Sequence, residues 1–178
     1  MDISIFGLGY VGCVGAACFA HMGHNVIGCD VSVDKVALIN AGRPTIIERD
    51  IEELCREGHE AGRLRATTDA AEAVAHTDIS FIAVGTPSTP HGHLNLDYIH
   101  DVARQIGTAL RDKDTFHIIA IRSTVFPGTN EHVGEIIEEV SGKKRNVDFA
   151  LVSNPEFLRE GTSVHDFLNP PLTLIGTD

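Results

Sequence analysis

The chain has 178 residues, 43% of them hydrophobic, which suits one domain built on a single well-filled core. Its 14 basic and 25 acidic residues leave a net charge of −11 with no basic run that could track a phosphate backbone, so nucleic acid and anionic membranes are excluded as partners. No apolar stretch approaches the roughly 20 residues needed to cross a bilayer, and the N-terminus enters a strand rather than a signal segment, so the expected location is cytoplasmic.

The first apolar run, Ile3-Ser4-Ile5-Phe6, ends at Gly7-Leu8-Gly9-Tyr10-Val11-Gly12. In this G-x-G-x-x-G pattern Gly7 permits a tight turn, Gly9 lets the backbone approach a pyrophosphate, and Gly12 lets the next helix pack closely on the sheet. That helix is expected from Val14 to His21, closed by Met22-Gly23, and a second apolar run, Val26 to Cys29, stops at Asp30. A carboxylate there accepts hydrogen bonds from both hydroxyls of an adenine ribose, and a 2′-phosphate would meet like charge. Val31, Ser32, Val33 and Asp34 bring no arginine, so NAD is favoured over NADP. Lys35 reaches the adenosine side of such a cofactor, or is only solvated surface.

Ser32 or Asp34 can cap a helix through Val36, Leu38 and Ile39 that ends near Gly42. A loop through Pro44 leads to helical spacing at Ile51, Leu54 and Cys55, and Leu64 to Thr67 is a short strand candidate. Thr68-Asp69 caps a brief helix to about His76. Ile79 to Val84 then runs continuously apolar, as a strand covered on both faces does, and ends at Gly85-Thr86-Pro87. Helical spacing returns from Leu96 to Leu110, a strand is expected at His117 to Ile121, and Pro127-Gly128-Thr129 opens a helix stopped by Gly142. The last clear strand, Phe149 to Val152, ends at Ser153-Asn154-Pro155-Glu156. Strands alternating with helices predict an α/β fold of the Rossmann type, 1–178 forming one doubly wound parallel sheet with helices on both faces. Ligands of such a sheet lie at the carboxyl ends of its strands, where hydroxyls and acids serve either as capping groups or as site residues.

Four cysteines, Cys13, Cys18, Cys29 and Cys55, show no C-x-x-C spacing and read as reduced thiols. The ten histidines show no H-x-x-x-H pair on a helix, so no metal is expected, and His91 and His93 read as solvated loop residues.

Four motifs together resemble the N-terminal NAD-binding domain of the UDP-glucose/GDP-mannose 6-dehydrogenase family, the GDP-mannose branch somewhat more than the UDP-glucose branch. They are the glycine loop, Val84-Gly85-Thr86-Pro87, Arg122-Ser123-Thr124-Val125 with Pro127-Gly128-Thr129, and Asn154-Pro155-Glu156-Phe157-Leu158-Arg159-Glu160-Gly161. The resemblance implies oxidation of the C6 alcohol of GDP-mannose or UDP-glucose to the uronic acid by two hydride transfers to NAD, through a cysteine thioester that water releases. It implies NAD contacts from Tyr10, Val11, Asp30, Lys35, Thr86, Thr124 and Glu160 beside Gly7, Gly9 and Gly12. It makes Glu156, the general acid/base, and Thr124 the catalytic candidates, and Glu156, Phe157, Leu158, Arg159 and Glu160 the segment that touches the sugar nucleotide. The family's nucleophilic cysteine, central helix and second domain are expected beyond position 178, so the chain alone is expected to be inactive, and the family's oligomer contacts are expected there too. One departure is local: after Ile46-Ile47-Glu48 the family continues Pro-Gly, and here Arg49-Asp50 follows. Two further readings stay open, a free-standing NAD-binding module without chemistry and another two-domain dehydrogenase, though the latter leaves Asn154 to Glu160 unexplained.

Overall fold

Strands that are apolar along their whole length need cover on both faces, and the fold supplies it. The structure, a computed structural model, describes residues 1–89 and 92–177; His91 therefore lies outside the described residues, and His93 is exposed. Along the chain come β1 (Asp2–Phe6), α1 (Tyr10–His21), β2 (Asn25–Cys29), α2 (Val33–Asn40), α3 (Ile51–Glu60), β3 (Leu64–Thr67) and α4 (Ala70–Ala75). There follow β4 (Ile79–Ile82), α5 (Asp97–Leu110), β5 (His117–Ile121), α6 (Thr129–Ser141), β6 (Phe149–Ser153) and α7 (Ser163–Leu168). The strands form one parallel sheet in the order β3-β2-β1-β4-β5-β6. The chain reverses its direction of travel between β1 and β4, which places the crevice of a doubly wound sheet at their carboxyl ends.

Side chains alternate across the sheet, and each face has its own core. Ile3 and Ile5 pack with Cys13, Val14 and Ala17 of α1 and with Leu54 and Cys55 of α3. Phe6, Ile82, Ile119 and Ile121 pack on the opposite face with Ile99 and Ile106 of α5 and Val133 and Ile137 of α6. Register aligns the strand ends: Phe6 lies beside Cys29 and Ile82, Ile82 beside Ile121, and Ile121 beside Ser153. The residues that follow those strands therefore share one edge.

Three elements differ from the sequence expectation. Helix α1 starts at Tyr10 rather than Val14, because Gly12 is small enough to let the first turn press against the loop. Strand β4 stops at Ile82, two residues early, where the backbone N–H of Arg122 and Ser123 both bond to the Ile82 carbonyl. Helix α7 carries too few apolar residues to show a period, and the chain beyond it returns to pair Gly176 antiparallel with Ser153.

The departure at Arg49-Asp50 has a backbone consequence. Asp50 precedes α3 in the left-handed region, at φ 64°, without capping the helix through its side chain. Glycine adopts that conformation freely, whereas a side chain there costs about 1 kcal/mol, offset in part by glycine's greater freedom when unfolded. Asp50→Gly is expected to raise the urea midpoint slightly, by the equivalent of about 0.5 kcal/mol; a lower midpoint would show that Asp50 stabilises the turn by other means.

Candidate functional site

The glycine loop is held by contacts that forbid side chains at two of its three positions. A Cβ on Gly7, which lies at φ 94°, would stand 2.8 Å from the Ala83 carbonyl oxygen. One on Gly12 would fall 1.8 Å from the Gly7 oxygen, so any larger residue separates helix from loop. Around Gly9 the same position meets nothing within 4 Å, which leaves open approach to the backbone. Helix α1 begins immediately after it with no side-chain cap and no acid in its first turn. Its free N–H groups and positive dipole end are thus available to a diphosphate.

Asp30 is more deeply engaged than its position alone suggests. Its Oδ2 accepts from the Leu8 N–H at 2.7 Å and from Lys35 Nζ at 3.2 Å, and its Oδ1 accepts from the Ser32 N–H at 2.9 Å. The carboxylate is 7% exposed. Two carboxylate oxygens offer about four acceptor sites. Asp30 therefore has room for one ribose hydroxyl as it stands, and for the expected pair once Lys35 swings aside. Lys35 is partly exposed and bound to the acid rather than merely solvated.

Gly7, Gly9, Asp30 and Lys35 line one cleft of about 390 Å³. Its far wall is Tyr98, Asp101 and Gln105 of α5, together with Gly85. None of the three α5 residues stood out in the sequence. The available signal was an aromatic, 56% exposed, on the polar side of an amphipathic helix. A cleft of this size beside a helix start with free N–H groups and an acid with acceptor capacity to spare suits the adenosine half of NAD.

Glu156, Phe157 and Leu158 line a second cleft, of about 550 Å³, with Phe19, Arg122 and Phe167. Asn154-Pro155 leaves β6 without forming helix, as a proline there requires, and the Glu156 carboxylate accepts from the Leu158 N–H at 2.5 Å. Arg122 donates to Asn154 Oδ1 at 2.7 Å and lies over the Phe167 ring at 5.1 Å. Burial pulls its guanidinium below the ordinary value, and the Glu156 charge opposes that.

Other expected site residues are placed elsewhere. Arg159 spends its backbone N–H, Nε and Nη2 on Asp166, whose carboxyl that pairing holds far below the usual range, so its side chain does not line the Glu156 cleft. Thr86, Thr124 and Glu160 line neither cleft; Thr124 and Glu160 are exposed on the same edge of the sheet. Tyr10 and Val11 are half-buried at the start of α1. All four cysteines are buried, and burial pushes the Cys18 and Cys29 thiols up to about 12. Among the described residues no group of three or more His, Cys, Asp or Glu is placed to hold a metal, and no helix is long and apolar enough to cross a membrane.

Comparison with known proteins covers the whole chain. The model of the UDP-glucose/GDP-mannose dehydrogenase family, NAD binding domain, matches residues 1–178. The GDP-mannose 6-dehydrogenase of Pseudomonas syringae pv. tomato is 55% identical over 177 residues, which is 99% of this chain and 40% of that protein. The UDP-glucose 6-dehydrogenase of Haloferax volcanii is 44% identical over 99% of this chain and 41% of its own length. A ternary complex of the GDP-mannose dehydrogenase from Pseudomonas aeruginosa superposes with a TM-score of 0.98 at 52% identity, covering 100% of this chain and 41% of that one. The chain thus spans about two fifths of the length of the relatives it matches.

Proposed function

Since the chain belongs to the UDP-glucose/GDP-mannose dehydrogenase family as its NAD-binding domain, we propose that it serves as the hydride-accepting half of a nucleotide-sugar 6-dehydrogenase. GDP-mannose is the favoured substrate and UDP-glucose the second choice. Identity supports that order, at 55% to a GDP-mannose enzyme against 44% to a UDP-glucose enzyme. One observation carries the cofactor side: the Asp30 carboxylate is tied by a hydrogen bond from the Leu8 N–H to the glycine loop that opens α1.

When bound, NAD accepts the hydride leaving the sugar carbon. The chain's own residues do the rest of the work on this side of the reaction. The N-terminus of α1 holds the diphosphate, Asp30 fixes the ribose, and the wall from Tyr98 to Gln105 closes over the adenosine side. Glu156, in the lining of the second cleft, handles protons at the reacting centre. None of the four buried cysteines is placed to act as the nucleophilic thiol that the resemblance implies.

Calorimetric titration tests the cofactor assignment. NAD is expected to bind at least about tenfold more tightly than NADP, because a 2′-phosphate would face the Asp30 carboxylate. A hydrogen bond to a charged group is worth about 1.5 to 3 kcal/mol, so Asp30→Ala should weaken NAD by roughly ten- to a hundredfold. Asp30→Asn, which keeps an acceptor for the Leu8 N–H, separates ribose binding from loosening of the glycine loop. Equal affinity for the two cofactors would remove the assignment.

A further inference from the structure

Glu48 stands where three segments distant in sequence meet. Its Oε2 accepts from the Tyr10 hydroxyl at the start of α1 and from the Gly161 N–H at 2.7 Å. Its Oε1 accepts from the Arg49 N–H at 2.8 Å. The loop that carries it is fastened at its other end too. Thr45 Oγ1 donates to the Leu8 carbonyl at 2.7 Å, and the Thr45 N–H reaches the Cys13 sulfur at 3.5 Å. Ile46 packs against the core, but beyond it Ile47 is fully exposed at 101% and Arg49 and Asp50 are exposed as well. Polar bonds position the Glu48 end.

The segment from Glu156 to Gly161 is held by local polar bonds and by Leu158, which packs against the core cluster that includes α1. Glu156 caps the Leu158 N–H, and Arg159 is bound to Asp166 of α7. Glu48 adds a polar bridge from this segment across to the start of the glycine-loop helix. A solvated surface acid has no reason to bring together donors from Tyr10 and Gly161. Its carboxyl is held below the usual carboxylate range, first by the Tyr10 hydroxyl, as an engaged acceptor's should be.

We infer that Glu48 is a positioning residue that locks the Glu156–Gly161 segment to the first turn of α1, so that a dinucleotide seated on that turn orders the segment lining the second cleft. The inference rests on the NAD reading of the glycine loop and adds a coupling between its two clefts. Tyr10 transmits it because one side chain belongs to the cofactor turn and to the latch.

Amide hydrogen exchange, read by NMR on the chain with and without saturating NAD, tests the latch. NAD is expected to slow exchange across residues 157–162 by about tenfold or more in the parent chain, the fold-change of one charge-assisted hydrogen bond. In Glu48→Ala that slowing should vanish and the Gly161 amide should exchange at least about tenfold faster even without NAD. Glu48→Gln, which keeps a carbonyl acceptor, should restore part of it. Tyr10→Phe, which removes only the hydroxyl, should lose the NAD-linked slowing while Phe6 and Ile82 in the sheet stay protected, so the outcome is readable even where the alanine variant folds poorly. Undiminished NAD-linked slowing in Glu48→Ala or Tyr10→Phe would overturn the latch. Calorimetry on the parent separates the two levels: binding without any slowing at 157–162 defeats the latch alone, and no binding defeats the cofactor reading and the latch with it.

Discussion

Lowering the pH from 7 to 4 is expected to cost the fold about 3 kcal/mol through a single residue, His117. His117 opens β5 with no exposed surface, and its Nε2 lies 2.8 Å from the Ser80 hydroxyl. That hydroxyl continues to Ser4 at 2.7 Å, and Thr77 donates to Ser4 in turn, which makes a buried polar ladder at the sheet end opposite the glycine loop. Burial, and then the charge of Lys113, lowers the imidazole from its ordinary 6.5 to about 4, with the Thr77 carbonyl and Asp78 pulling partly back. Because the folded-state value is depressed, the native ring is neutral where the unfolded ring already binds a proton. Stability from this source is complete above about pH 6.5, falls as the pH drops from there, and is spent by about pH 4. Exposed carboxylates lose their own contributions at lower pH, so the comparison to make is with His117→Gln. Urea midpoints taken from pH 7 to 4 should fall more steeply for the parent than for the variant. Parallel curves would mean that the imidazole is not the group being charged.

His117 also shows where sequence reading runs out. Its strand was legible, because a run apolar on both faces can only be covered on both faces, and the bounds of β5 and of the short β3 came out as expected. Burial depresses its titration, and its hydrogen-bond partner Ser80 lies 37 residues earlier on the neighbouring strand, so no local pattern announces either. The start of α1 was hidden for the opposite reason. Gly-rich turns read as loop, and only the contact between Gly12 and Gly7 shows why the helix can begin at Tyr10. Gly7, Gly9 and Asp30 come together in one cleft because their spacing is tied to a local strand-turn-helix unit. Tyr98 and Gln105 reach the cleft through the position of α5, and Glu48 meets Gly161 across most of the chain. The pairing of Arg159 was hidden for the same reason, since Asp166, its partner, lies on a helix too short to foresee.

Glu156 caps the turn after β6, and the proposed function asks the same carboxylate to move protons. In the structure its Oε2 accepts from the Leu158 N–H, a bond that shapes the turn after β6, while the side chain borders the second cleft and sits within electrostatic reach of Arg122. A capping role alone would make the charge dispensable. General acid/base work would not, because the proton must leave and return at that atom, and such transfer contributes about 10² to 10⁴ in rate. Glu156→Gln distinguishes the two, since the amide oxygen still accepts from Leu158 and the turn survives. In a chain that also carries the family's nucleophilic cysteine, this variant is expected to turn over about 10² to 10⁴ times more slowly. Acyl-enzyme should then accumulate, visible as added mass on the intact protein, because water can no longer be activated to release it. NAD affinity should change little, as the substitution lies outside the cleft lined by Gly9 and Asp30. Near-normal turnover with no trapped acyl group would leave Glu156 the turn it caps and move the proton transfer to another residue at this edge of the sheet.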